Sequence, residues 1–439
     1  MTALFLFETT CSDKESESFA AISVRDTTGT IVFRNVQIVD VEQGTLEGPV
    51  DVLIDSQKIM AIGADLEAPS GAVVIDCSEK YLMPGLADMH THVNYENDLL
   101  PYVANGVTTI LNMGSPSNIL SMRDQVNSGG LLGPTIYAGA FVDGTGNRGW
   151  IVQTTGAARS AVGDIKEQGW DFIKVYNSIQ TDVFLALMDE AQIKNIPVIG
   201  HGVRAPGIKR IIQEGQSMIA HAEEYIYAYF NYSNDASKIP DAVNDTKTSG
   251  AYVTTTLSAY RVIMKQWGKP SGRDALLAVD EIQYVDPRWI TSWQNSGAYI
   301  YNQGNLDDNY HFQQQFVKAF HDGGIPLLAG TDSPTIPGGI PGFMIHDDLA
   351  ELEKCGISRK DVLKIATMNA GNFIAKTKQD EMPFGKIQTG YRADLLLLNQ
   401  NPLIDLKHLK NRAGVMVRGH WLSEEELSIR MTELAANFK

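Results

Sequence analysis

Between residues 85 and 330 this chain repeats one pattern: a short apolar run that ends in or near a polar residue, usually followed by a helix-like stretch. The runs are the one closing at His90, then residues 106–111, 135–139, 172–176, 196–201, 217–221, 251–257 and 325–330. Amphipathic spacing marks residues 182–194 and 208–214 as helices between them. Strands separated by helices pair in parallel, because each return crossing needs a dozen or more residues. Eight such units suit an α/β fold of the TIM type, a (β/α)8 barrel. A doubly wound α/β sheet is the rival, but it would scatter strand ends that a barrel gathers.

The flanks read differently. Residues 31–39, 51–54, 58–62 and 72–76 are short strand-like runs broken by Gly, Pro and charged turns. Residues 385–387, 393–398 and 414–419 repeat that theme near the other end. Both chain ends therefore build one small β-sandwich domain, residues 31–84 plus 384–425, around a barrel spanning 85–383, with 426–439 as a C-terminal helix or tail. Residues 1–30 form a leader. Its Ala3-Leu4-Phe5-Leu6-Phe7 followed by Cys11 and a polar stretch looks like the end of a lipoprotein signal. A basic segment is missing from it, and Glu8 stands where such signals want a small aliphatic residue. The expectation is a degenerate export signal and a periplasmic or lipoprotein-anchored location in a bacterium, with a cytoplasmic leader as the alternative.

A net charge of −16 argues against a nucleic-acid partner, whose phosphates need a basic footprint. Three widely spaced cysteines, Cys11, Cys77 and Cys355, point neither to a disulfide framework nor to a thiolate metal site. No apolar run is long enough to span a bilayer. The negative charge does not exclude a small anionic substrate bound in a local positive site.

Polar residues with metal-ligating chemistry close the strand-like runs: His90 and His92 on the first, Lys174 on the fourth, His201 on the fifth, His221 on the sixth and Asp332 after the eighth. Side chains at i and i+2 of a strand share a face, so His90 and His92 are placed to hold one divalent ion. Each residue alone also fits a bland role: a hydrogen-bonded histidine, a lysine extending to solvent, an aspartate in a turn. Six together, at ends that a barrel gathers on one face, make coincidence a poor account.

This set, in Asp88-Met89-His90-Thr91-His92, Lys174, His201, His221 and Gly330-Thr331-Asp332, resembles the amidohydrolase superfamily in its binuclear form. The likeness extends to Gly385-Lys386-Ile387, Gly390, Ala393-Asp394-Leu395 and Asn401-Pro402-Leu403, which look like that family's C-terminal β pattern. The resemblance implies that His90, His92 and Asp332 hold one ion and that His201 and His221 hold the other. It also implies that Lys174, carboxylated by CO2, bridges the two as a carbamate. Zinc is the first expectation, with manganese, cobalt or iron as alternatives. It implies hydrolysis by a hydroxide bridging the two ions, with Asp332 as the proton carrier.

Within the superfamily the pattern looks most like the imidazolonepropionase-related branch, with its prolidase-like Xaa-Pro and Xaa-Arg or Xaa-Lys dipeptidases and N-acyl-amino-acid hydrolases. The expected substrate is a dipeptide or N-acyl amino acid. The alternatives are a lactone, ester or carbamate cleaved at the same centre, or a structural barrel homologue without metals. Tyr176, Arg204 and Tyr225 are candidate substrate contacts, Arg204 for a carboxylate and either tyrosine for the carbonyl oxygen. Residues 227–309, rich in Tyr, Trp, Asp and Asn, are expected to include a lid. His311, His321, His346, His408 and His420 read as structural or surface residues, of which His346 alone is expected to approach substrate. Relatives are commonly oligomers, so a homo-oligomer is expected.

Overall fold

The computed structural model describes residues 26–114, 118–379 and 381–438. Residues 1–25, which hold most of the expected leader, lie outside the described residues. Among the described residues the chain forms two nine-stranded sheets. One begins at Asp26–Thr27, inside the span read as leader, which pairs with His420–Ser423.

In that sheet Leu395–Leu398 runs antiparallel to Tyr81–Pro84, so the two ends of the chain meet in adjacent strands. The four leucines in a row are explained by what lies on each side. Leu395 and Leu397 face the core of the β domain with Phe33, Leu82 and Trp421. Leu396 and Leu398 face the barrel's outer core. A strand buried on both faces has no reason to alternate polar and apolar residues.

The second sheet is the barrel. Its eight parallel strands run in chain order: Leu86–Thr91, Val107–Met113, Thr135–Asp143, Phe172–Val175, Val198–Gly200, Met218–Ala220, Tyr252–Thr254 and Leu327–Leu328. Backbone bonds from Met89 N to Ala329 O (2.9 Å), Asp332 N to His90 O (2.8 Å) and His92 N to Ser333 O (2.7 Å) bring the eighth strand back to the first. The (β/α)8 expectation holds, with a separate β domain beside it.

Alternation inside the barrel decides which side chains reach its interior. Phe172, Ile199, Met218, Ala220, Tyr252 and Leu328 point inward, while Ile173, Val175, Val198, Ile219, Val253 and Leu327 pack against the surrounding helices. Phe373, from the helix Met368–Thr377, stacks on Phe172 at 5.8 Å and meets Tyr252 edge-on at 5.1 Å. Both partners begin their strands, so Phe373, Ile374 and Phe384 plug the N-terminal end of the barrel. The opposite end stays open.

Candidate active site

At the open end the six expected residues come together. Nε2 of His92 lies 2.9 Å from Oδ1 of Asp332, and Nε2 of His90 lies 3.4 Å from the same oxygen. The His90 and His92 ring centroids are 5.3 Å apart. One ligand atom from each of these three residues falls within 4.8 Å of the others. The first strand shifts register against its neighbour between Asp88 and Thr91, so strict alternation does not carry from inward-facing Met89 to His90. Such an irregularity is a common way to re-aim a side chain beside an active site. Buried Asp88 holds this corner by accepting from Thr331 Oγ1 (2.6 Å), Thr331 N (3.1 Å) and His90 N (3.3 Å). Burial pushes its carboxyl up to about 8.

Lys174 follows Phe172 by two residues and so shares its inward face. It is 2% exposed, with Nζ 5.3 Å from the ring centre of Tyr176 and 5.7 Å from that of Phe141. Burial pushes its amine down to about 8. His201 and His221 stand next, their ring centroids 4.7 Å apart, with His221 4.3 Å from His90. Nδ1 of His201 lies 3.1 Å from both Asn177 Oδ1 and Glu224 Oε1. Nδ1 of His221 is hydrogen-bonded to Thr256 Oγ1 at 2.9 Å. Fixing one ring nitrogen leaves Nε2 of each as the free donor atom, the usual support of a metal-ligating histidine.

The donor set fits divalent ions. Among the described residues, neither ring nitrogen of His90 has a hydrogen-bond partner, nor has Nδ1 of His92. A buried polar atom without a partner costs about 1–3 kcal/mol, which a cation would offset. Burial drives His90 and His201 well below the ordinary histidine value and His221 down to about 3, so these rings are neutral, as ligation requires. Burial works against ionising Asp332, yet the hydrogen bond from His92 and the nearby cationic groups outweigh it and hold the carboxylate well below the usual range. His221 (φ 73°), Thr256 (φ 46°) and Asp332 (φ 59°) all adopt the left-handed backbone that side-chain-bearing residues avoid. Strain of this kind, of order 1–3 kcal/mol per residue, clusters at functional sites.

Not every expected contact is here. Tyr176 lines the site cavity of about 410 Å³, with its ring 4.1 Å from that of His201. Tyr225 does not: it is fully buried in the helical layer, bonded to Thr246 Oγ1 at 2.9 Å and packed edge-on against Phe320. One turn of helix after His221 rotates it away from the barrel axis. Arg204 is also a correction. Its guanidinium is bonded to both oxygens of Glu224 and lies over Tyr227, so its charge is neutralised within the protein. It acts on the site indirectly, by holding the carboxylate that supports His201. His346, expected near substrate, is buried with Nε2 donating to the Asn105 carbonyl just ahead of the second strand, at the closed end. His408 donates to Asn401 O at 2.7 Å and His420 pairs with Asp26 at 2.5 Å, structural roles as expected.

The sequence reading did not single out Arg148 or Glu223, both of which line the cavity. Arg148, in the loop after the third strand, lies 5.3 Å over Phe141 and donates to Gly114 O at 3.1 Å. It carries no strand-end signal that sequence could offer. Tyr299 and Ile263 come from the 227–309 segment, which covers part of the mouth. That segment is tied down: Trp289 Nε1 donates to Asp98 Oδ2 (3.1 Å) and Trp293 Nε1 to Pro334 O (2.9 Å). An adjoining cavity of about 630 Å³, lined by Trp150, Trp170 and Trp289, shares His92, Arg148 and Thr335 with the first.

Comparison with known proteins bears on the family and the fold. A family model described as "Amidohydrolase family" matches residues 81–422. Among curated relatives, the dihydroorotase of Trichlorobacter lovleyi is 26% identical over 200 residues, covering 40% of this chain and 45% of that protein. The dihydroorotase of Geobacter sulfurreducens is 29% identical over 152 residues, covering 32% and 34%. The chain thus spans less than half the length of these curated relatives. Among solved structures, a bottromycin amidohydrolase superposes with a TM-score of 0.70 at 24% identity, covering 92% of this chain and 90% of that one. A Xaa-Pro dipeptidase with bound methionine gives 0.65 at 18% identity, covering 90% and 100%. At such identities the structural likeness speaks for the fold. The family match, which takes in both the barrel strands and the C-terminal β strands, goes further: this chain belongs to the amidohydrolase family.

Proposed function

We propose that the chain is a metal-dependent hydrolase that cleaves the amide bond of a dipeptide or N-acyl amino acid. The observation that supports this most is the gathering of His92, His201, His221, Lys174 and Asp332 around one cavity at the open end of the barrel, with the buried His90 ring 4.3 Å from that of His221. His90, His92 and Asp332 would hold one divalent ion, His201 and His221 a second, and Lys174 as a carbamate would stand between them. Bound there, the ions lower the pKa of water and polarise a carbonyl. Zinc is the first candidate, with manganese, cobalt or iron as substitutes.

The chain's own groups do the rest. Asp332, an anion beside His92, takes the proton from the water that attacks the carbonyl carbon. It returns that proton to the leaving nitrogen as the C–N bond breaks. Tyr176 donates its phenolic hydrogen to the carbonyl oxygen as charge develops there. Arg148, which among the described residues hydrogen-bonds only to Gly114 O, pairs with the substrate carboxylate in place of Arg204. Tyr299 and Ile263 exclude water from above.

The test is a mass-spectrometric screen of zinc- or manganese-loaded protein against mixed dipeptides and N-acyl amino acids, with Asp332→Asn as control. Free amino acids released by the wild type are expected, with turnover in the variant lower by about 10²–10⁴-fold. An Asp332→Asn protein that kept its metal and full activity would overturn the role of Asp332. Two bound metals without amide turnover would move the reaction to lactones, esters or carbamates.

A further inference from the structure

The carboxylates around the site cavity divide into those that are occupied and one that is not. Asp332 is engaged by His92, and Asp143 accepts from the Gly144 and Ser178 backbone amides, each at 2.8 Å. Glu224, just outside the cavity, is committed to Arg204 and His201. Glu223 lines the cavity too, partly buried at the head of the helix Glu223–Ala228. Among the described residues it has no hydrogen bond and no ion pair. Burial and the charges of Glu224 and Asp332 push its carboxyl up to about 8, and the one cation acting against them, Arg204, is bonded to Glu224 instead.

Its position relative to Arg148 matters. Arg148 follows the third strand and Glu223 the sixth, three places apart in a ring of eight, with Lys174 and His201 on the strands between. The cavity therefore carries an unmatched cation on one side and an unpaired carboxyl group on the other, with the candidate metal ligands in the middle. A substrate charged only at its carboxylate, such as an N-acyl amino acid, would satisfy one of these and leave the other desolvated and unpaired. A free dipeptide carries both charges, one on either side of its single peptide bond.

We propose that Glu223 is a specificity-determining residue that binds the free α-ammonium group of the substrate, so that the preferred class is the unblocked dipeptide rather than the N-acyl amino acid. The inference rests on the amide-hydrolase reading above, and it adds which end of the substrate is read and by what.

The experiment compares one unblocked dipeptide with its Nα-acetyl form, which presents the same scissile bond without the ammonium charge. Metal-loaded wild type is expected to favour the unblocked form in kcat/KM by tenfold or more, on the order of one charge-assisted hydrogen bond. In Glu223→Gln that ratio collapses towards one, chiefly through KM, and in Glu223→Asp it is partly kept. Calorimetric binding of L-alaninamide against N-acetyl-L-alaninamide gives a second readout that needs no turnover. Wild type is expected to bind the cationic amide more tightly and Glu223→Gln to bind both alike. A preference that survives Glu223→Gln unchanged in turnover or binding, or is absent from wild type, overturns the role of Glu223. A binding preference lost in Glu223→Gln, with no cleavage of either dipeptide, supports that role while overturning amide hydrolysis.

Discussion

His346 shows how a single residue's chemistry is set by its surroundings. It is held neutral in the helix Met344–Lys354, with burial, and then the charges of Arg412 and Lys410, lowering its pKa to about 3. An unfolded chain takes up that proton near 6.5, whereas the folded one resists until about 3. Protonation therefore favours unfolding: the stabilisation is complete above about pH 6.5 and shrinks as pH falls, by up to about 1.4 kcal/mol per unit. His346→Gln keeps an N–H for the Asn105 carbonyl but removes the titration. Denaturant midpoints measured between pH 6.5 and 4 are expected to fall less steeply in the variant than in wild type. Parallel slopes would mean that His346 is not buried in its neutral form. Sequence marked His346 only by its place after the eighth strand, which says nothing about the direction in which a helix carries its side chain.

At the scale of elements, the site depends on how closely the first, seventh and eighth strands approach. Gly330 sits at the end of the eighth strand, where an added Cβ would lie 2.4 Å from Thr254 Cγ2, 2.9 Å from His90 Cβ and 3.1 Å from His90 N. The threonine methyl has some freedom to turn, but the backbone of His90 has none without moving its ring. Gly330→Ala is expected to cost about 1–3 kcal/mol of stability, as overpacking does. It is also expected to weaken metal retention, because His90 and Asp332 are displaced relative to each other. Thermal melts and metal content after dialysis measure the two effects; normal values for both would show that the strands can part without disturbing the ligands. The alternating runs made these strands legible. The close approach at Gly330 was not, since a glycine in sequence does not say what faces it.

For the whole molecule, the β domain and the barrel are joined by buried charge as well as by the leucine strand. Arg392, 4% exposed, donates Nε to Asp394 Oδ2 and Nη2 to Thr109 Oγ1 of the second barrel strand, both at 2.6 Å, and its guanidinium lies 4.4 Å over Phe384. Removing one partner of a buried pair strands the other, at a cost of about 3–5 kcal/mol. Arg392→Ala is expected to lower the urea midpoint accordingly, with Arg392→Lys intermediate because a lysine cannot span both acceptors. A midpoint within a few tenths of a kcal/mol of wild type would show that Asp394 finds enough compensation in the Arg418 amide, which it accepts at 2.7 Å.

The sequence by itself determined the barrel, the pairing of both chain ends in a second sheet, and the six residues that meet at the open mouth. It could do so because apolar runs separated by helical spacing imply parallel strands, and parallel closure brings all C-terminal strand ends to one side. The tertiary structure alone decided the surrounding chemistry. Arg204 is spent on Glu224, Tyr225 turns into the helical layer, and Arg148 and Glu223 both line the cavity, from the loop after the third strand and the head of the helix after the sixth. Those outcomes depend on loop paths and on the rotation of each helix about its axis. Neither is encoded in a local repeat; both follow from which buried charges find partners once the barrel has closed.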